Sequence, residues 1–241
     1  IVSTTDRFNN IMSALYFSGT GSEYLNYGDV EDYEPYQGSF SFWINPESYG
    51  GPSSEELKPI ISKWSSPQDL SGSSYNIFLN GTDLCFLLSD GVTTDTLTAP
   101  LSNVLLNQWS HVVITANYGF IKIYINNVLV TDTISAISAF NITTSDFKVG
   151  GWYQDINASY GSFTGKIDDL GIWKREISSC EVDALYTGNI CPTVSIQELD
   201  ENSSELIQIT DLMGRRVSYQ PNIVQLYHYA DGAVIRKYII E

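Results

Sequence analysis

The sequence predicts an all-β protein, a two-sheet antiparallel sandwich with one short helix, followed by a small separate β module. Three observations lead there. Apolar residues recur in strand-length runs, as at Phe40, Phe42 and Ile44, whose spacing of two places them on one face. One stretch, residues 178–188, carries the start and stop signals of a helix. Charge then divides the chain: residues 1–203 hold 24 of the 28 acidic groups and 8 of the 12 basic ones, the entire net charge of −16, while residues 204–241 balance at four of each. With 241 residues and 43% hydrophobic content, the chain can bury one sizeable core and a small second one.

The strands follow in order. Residues 14–19, Ala-Leu-Tyr-Phe-Ser-Gly, open the sandwich, and residues 39–44, Ser-Phe-Ser-Phe-Trp-Ile, supply the next strand. Residues 59–63 add a third. Residues 109–114 lead into residues 121–127, where Asn126 and Asn127 turn the chain because Asn tolerates the left-handed backbone of a tight hairpin. Residues 165–173 make the closing strand, with adjacent carboxylates at Asp168 and Asp169. The helix comes next. Ser178 is its N-cap, Glu181 completes a capping box, Ile177 and Val182 occupy the positions of a hydrophobic staple, and Gly188 ends it.

This order of landmarks, closing with an Ile-Asp-Asp strand and a capped helix that ends Ala184-Leu185-Tyr186, closely resembles laminin-G-like (concanavalin A-like) lectin domains over about residues 13–188. The resemblance implies a jelly-roll sandwich. It also implies a calcium ion on the convex side, held by Asp168 and by backbone carbonyls of Gly38 and Gly19. The residues leave a plainer alternative open, in which Asp168 caps a turn or meets Lys166 or Lys174, because an acidic pair alone does not make a hard-cation site.

Four segments result: a lead-in over residues 1–12, the jelly-roll domain over 13–191, a polar linker over 192–203 and a β module over 204–241. In the last, residues 206–210 alternate as a strand, and residues 223–229 pair with residues 233–240 across Asp231-Gly232, a strong hairpin signal. The series 209–217, with Asp211, Gly214 and Arg215, and the ending Lys237-Tyr238-Ile239-Ile240-Glu241 resemble the C-terminal sorting domains of the Bacteroidota type IX secretion system. That resemblance implies the type IX machinery as a partner, and secretion or display on the cell surface. The alternative is an ordinary packing appendage.

Cys180 and Cys191 bracket the helix, so a disulfide between them ties its start to the chain leaving the domain, as suits an oxidising compartment. Cys85 reads as a small buried hydrophobe. The chain opens at Ile1 without a charged start and apolar run, so an export signal is expected to have been removed or left out. No stretch approaches the roughly 20 apolar residues of a membrane span.

Function follows by exclusion and by aromatic content. Glycoside hydrolysis needs two carboxylates facing each other across a sugar, and the nearest pattern, Glu198-Leu199-Asp200-Glu201, falls in the linker. Asp168 and Asp169 are neighbours on a strand and are expected on opposite faces. No enzyme is therefore expected. The acidic balance repels nucleic acid and anionic glycans. What remains is recognition of a neutral glycan by stacked aromatic rings. The loop carrying Trp152, Tyr153, Asp155, Asn157 and Tyr160 is the expected contact surface, joined at its rim by Tyr75, Trp64 and Tyr118. Trp43, Trp109 and Trp173 read as core. The competing reading is a protein-interaction domain of a surface assembly, and a hydrolase comes third.

Overall fold

A computed structural model of the chain describes residues 1–20, 23–33, 37–53, 56–66, 69–152, 154–155, 158–159, 161–191, 206–211, 214–230 and 234–238. It divides into two compact units, Ile1–Cys191 and Pro192–Glu241.

The first unit begins with strands β1 (Val2–Thr4), β2 (Ala14–Ser18), β3 (Leu25–Asn26), β4 (Gly38–Pro46) and β5 (Lys58–Lys63). It continues with β6 (Tyr75–Leu79), β7 (Asp83–Ser89), β8 (Thr94–Pro100), β9 (Ser110–Asn117), β10 (Phe120–Ile125) and β11 (Val128–Ile134). Then come β12 (Phe147–Val149), β13 (Gln154–Asp155), β14 (Ala158–Ser159), β15 (Thr164–Trp173) and helix α1 (Ser179–Thr187). These strands form a seven-stranded sheet ordered β1-β2-β15-β4-β9-β10-β11 and a six-stranded sheet ordered β3-β12-β5-β6-β7-β8, with β13 and β14 paired apart. All described pairings are antiparallel. The expected two-sheet sandwich is the fold observed.

Its core follows from strand alternation. Phe40, Phe42 and Ile44 of β4 point inward with Phe17, Val112 and Ile114, and meet Ile61, Tyr75, Ile77, Leu84 and Phe86 of the opposite sheet. The residues between them face outward. On the seven-stranded sheet these are Trp43, Ser41, His111 and Val113, which α1 and the lead-in cover. Ser178 accepts from Glu181 N and Glu181 reaches back to Ser178 N, while Gly188 closes the helix at φ 77° in the left-handed region. Ile177 and Val182 pack together on Val113, as the staple requires. Cys180 and Cys191 are joined by a disulfide with Cα atoms 5.4 Å apart. Asn126 and Asn127 both take positive φ, 51° and 66°, the geometry of a two-residue hairpin turn.

The lead-in is more than a tail. Its β1 pairs with β2, extending the larger sheet at its edge. Among the strands of the smaller sheet that the sequence left unassigned, β6 and β7 are almost continuously buried, because both faces of the sheet are covered there, while β8 at the edge alternates between exposed and half-buried positions.

The second unit is a three-stranded sheet of β16 (Leu206–Thr210), β17 (Val224–Tyr229) and β18 (Val234–Tyr238) in that order. Asp211 accepts from Arg215 N at 3.0 Å and from Arg215 Nε at 2.7 Å, and Gly214 supplies φ 79°, so these residues form one turn after β16. Lys237 lies on β18. The linker over residues 192–203 and the Asp231-Gly232 turn fall outside the described residues.

Candidate functional site

The expected aromatic surface is only partly where the sequence put it. Tyr153, Asn157 and Tyr160 lie outside the described residues, and Asp155 is placed on β13 with its side chain undescribed. Trp152 is buried, 8% exposed, stacked on Phe78 at 6.1 Å and edge-on to Trp64 at 6.4 Å. Tyr75 is wholly buried in the core, its hydroxyl donating to Tyr33 O at 2.8 Å. These two rings are therefore packing elements rather than open platforms. The physical reason is that the outer face of β5, β6 and β7 carries apolar Phe78, Cys85 and Leu87, and Trp64 and Trp152 fold down to cover it. Tyr118 is 70% exposed at the β9–β10 turn. Trp43 is buried as expected, while Trp109 and Trp173 are half-buried.

Asp168, Gly38 and Gly19 are not brought together. Asp168 stands opposite Trp43, five residues along β4 from Gly38, a separation of roughly 17 Å at strand rise. Gly19 follows Ser18, which opposes Thr164 at the other end of β15. No one ion reaches such a trio with bonds of about 2.5 Å. The partner of Asp168 is also neither Lys166 nor Lys174. Arg7 of the lead-in places Nη1 2.5 Å from Asp169 Oδ2 and 3.7 Å from Asp168 Oδ2. Both carboxylates thus meet one guanidinium, against the expectation of opposite faces. A β-bulge explains it: Asp168 pairs with Trp43 and Gly171 with Ser41, so three steps on β15 match two on β4, and Asp169 takes φ 47°. Burial, and then the charge of Asp169, push the Asp168 carboxyl above its usual range. Among the described residues no group of three or more His, Cys, Asp or Glu side chains converges in the manner of a metal site.

The bulge also borders a cleft. This cleft, of about 270 Å³, lies between Leu170 and Ile172 of β15 on one wall and Tyr27, Asp32, Tyr33 and Phe147 on the other. This is close to the lower end of small-ligand sites, about 300 Å³. Tyr27 N donates to Phe147 O at 3.0 Å, which fixes the chain leaving β3 against β12. A short 3₁₀ turn, Glu31–Tyr33, then carries Asp32 and Tyr33 to the rim. The turn is anchored below by Lys63, wholly buried, whose Nζ lies 2.8 Å from Asp29 Oδ1. Three rings pack as a cluster: Tyr33 on Phe147 at 4.5 Å, Tyr27 on Phe147 at 5.9 Å and Tyr27 edge-on to Tyr33 at 6.3 Å. Tyr27 keeps 50% of its surface open. Across the mouth Lys174 Nζ stands 3.1 Å from Asp32 Oδ1, both in solvent. The cleft therefore offers one open aromatic face, an apolar floor and a carboxylate, which Lys174 meets from outside the lining. The sequence reading passed over these residues. The available signal was the stretch 27–33, Tyr-Gly-Asp-Val-Glu-Asp-Tyr, where aromatic and acidic side chains mix without strand alternation.

The comparisons with known proteins bear on the fold. At 18% identity and a TM-score of 0.55, the structure is similar to the CBM40 of the Ruminococcus gnavus IT-sialidase bound to α2,3-sialyllactose, covering 72% of this chain and 96% of that one. It is similar at 20% identity and a TM-score of 0.53 to domain 4 of AbnA, a GH43 extracellular arabinanase from Geobacillus stearothermophilus, in complex with arabinotriose, covering 72% and 76%. A mutant of HCR/D matches at 22% identity and a TM-score of 0.54 over 73% of this chain, which spans only 43% of HCR/D. No curated protein matches the sequence. Residues 18–183 match the laminin G family described as the concanavalin A-like lectin/glucanases superfamily, and the chain belongs to that superfamily.

Proposed function

We propose that the chain is a non-catalytic carbohydrate-binding module of a secreted or surface-displayed protein, and that it holds a neutral saccharide in the cleft beside Tyr27. The observation that carries this reading is the open Tyr27 ring set next to a carboxylate over an apolar floor, the combination of stacking face and orienting polar group that sugars require. The saccharides bound to the sialidase and arabinanase modules support a saccharide ligand. The net charge of −16 favours a neutral one. Binding rather than hydrolysis is supported by the single carboxylate among the described lining residues, where hydrolysis uses a pair.

Export belongs to the same proposal. The Cys180–Cys191 disulfide supports an oxidising setting, and no described helix is long and apolar enough to cross a membrane. The Asp211–Arg215 turn and the strand carrying Lys237 support a type IX sorting signal in the second unit. Calcium enters as a structural ion supported by the acidic excess alone, with ligands other than the Asp168, Gly38 and Gly19 trio. Chelator should then lower the melting temperature. Deleting residues 204–241 should retain the protein in the periplasm of a type IX-competent host, and unchanged secretion would refute the sorting role. The binding claim is tested by calorimetric titration with neutral oligosaccharides, arabinotriose among them, against the whole chain and Tyr27→Ala. Saturable binding lost in the variant supports the reading. Absence of binding to any neutral oligosaccharide, or equal binding by Tyr27→Ala, overturns it.

A further inference from the structure

The closing strand has a free edge beside the cleft. Glu47 N donates to Thr164 O at 2.9 Å, so by two-residue alternation the main-chain groups of Thr164, Lys166 and Asp168 face β4. The bulge resets this alternation. Beyond it Gly171 and Trp173, opposite Ser41 and Ser39, face β4 in their turn. Leu170 and Ile172 therefore direct their N–H and C=O groups to the other side. There β2 has already ended, its last pairing with β15 being Leu15 with Ile167. Among the described residues no hydrogen bond reaches the main chain of Leu170 or Ile172 on that side.

Such an edge is a template for a further strand. Its two outward-directed residues also send their side chains into the cleft, so an added strand would place alternate side chains between Leu170, Ile172 and Tyr27. Carboxylates stand at both ends, Asp169 at the bulge and Asp32 at the mouth, each holding one cation, Arg7 and Lys174, and each still exposed enough to meet a second. We propose that this edge of β15 accepts an extended cationic peptide by strand addition, with apolar side chains entering the cleft and Lys or Arg side chains meeting Asp32 and Asp169. A second copy of the chain is the weaker occupant, because two molecules of net charge −16 repel on approach. The inference goes beyond the glycan reading and does not rest on it. Both ligands need Leu170 and Ile172, so each excludes the other.

The test uses the full chain, a fluorescent synthetic peptide of alternating Val and Lys, and the same peptide N-methylated on alternate amides. The unmodified peptide should bind and slow amide exchange at Leu170 and Ile172 about tenfold or more, and methylation should weaken it roughly tenfold for each blocked bond. Asp32→Asn combined with Asp169→Asn should weaken binding and flatten its salt dependence. Equal binding of the two peptides overturns the proposal, since charge alone would then account for it. So does binding that leaves exchange at Leu170 and Ile172 unchanged, and so does no binding. Displacement by a neutral oligosaccharide supports both assignments; peptide binding that no oligosaccharide affects supports strand addition and counts only against the placement of the sugar.

Discussion

Arg7 donates to Asp169 across 162 residues of sequence, and the same guanidinium lies 4.3 Å over the ring of Trp43. The lead-in is thereby clamped to the bulge of β15. Arg7→Ala removes an ion pair and a cation–π contact together, and should cost about 1–2 kcal/mol in urea unfolding. Arg7→Lys should recover only part, because an ammonium cannot lie flat on the indole while bonding the carboxylate.

His111 packs against Trp43 at 5.0 Å and Tyr186 at 5.9 Å, rings that themselves stack at 5.7 Å, and its Nε2 lies 2.8 Å from Ser41 Oγ. Burial, with the nearby Arg7 charge, pushes its pKa down to about 4. The unfolded chain takes up this proton near pH 6.5 and the folded chain only near 4. Stability is therefore full above pH 6.5 and falls as pH drops between the two values, by roughly 3 kcal/mol. Comparing His111→Phe with the natural chain across that window isolates the effect. A variant whose pH dependence matches that of the natural chain would show that His111 does not carry it.

The amide of Asn76 is wholly buried on the outer face of β6, opposite Ser62 and Leu87, and neither its Nδ2 nor its Oδ1 has a hydrogen-bond partner among the described residues. Replacing an orphaned polar group by an apolar one of similar shape relieves its desolvation cost. Asn76→Leu should raise stability by about 1 kcal/mol. Lower melting in the variant would mean that the amide is satisfied in solution.

The Cys180–Cys191 disulfide spans 11 residues. Reducing it, or the pair of changes Cys180→Ser and Cys191→Ser, should cost about 3 kcal/mol by the chain-entropy relation. Because α1 covers Val113, His111 and Trp43 through Val182 and Tyr186, tryptophan emission should shift to the red before global unfolding.

What the sequence discloses is set by how local each signal is. The face made by Phe40, Phe42 and Ile44 is legible from period-two spacing, and α1 from Ser178, Glu181 and Gly188, because caps act within a few residues. Trp152 is misread because an aromatic residue in a loop looks the same whether it meets solvent or folds onto Phe78. The cleft is legible only as the mixed aromatic and acidic stretch 27–33, because the other wall, Phe147, Leu170 and Ile172, comes from distant parts of the chain and converges on Tyr27 and Asp32 only once the sheets are formed. The bulge is not legible, since Asp169 adopts a left-handed backbone where no glycine advertises it.

The extra residue in β15 makes one strand serve two environments. Up to Ile167 it is an interior member of the larger sheet, and from Leu170 onward it is a border. Strand side chains alternate with a period of two, so regular pairing of the same residues, with no bulge, would invert everything after Asp168. Leu170 and Ile172 would swing towards the helix and Trp173 towards the opposite sheet, dismantling the cleft and the seat of α1 in one step. A single inserted position thus holds the placement of two distant surfaces in common, and neither can be re-registered without the other.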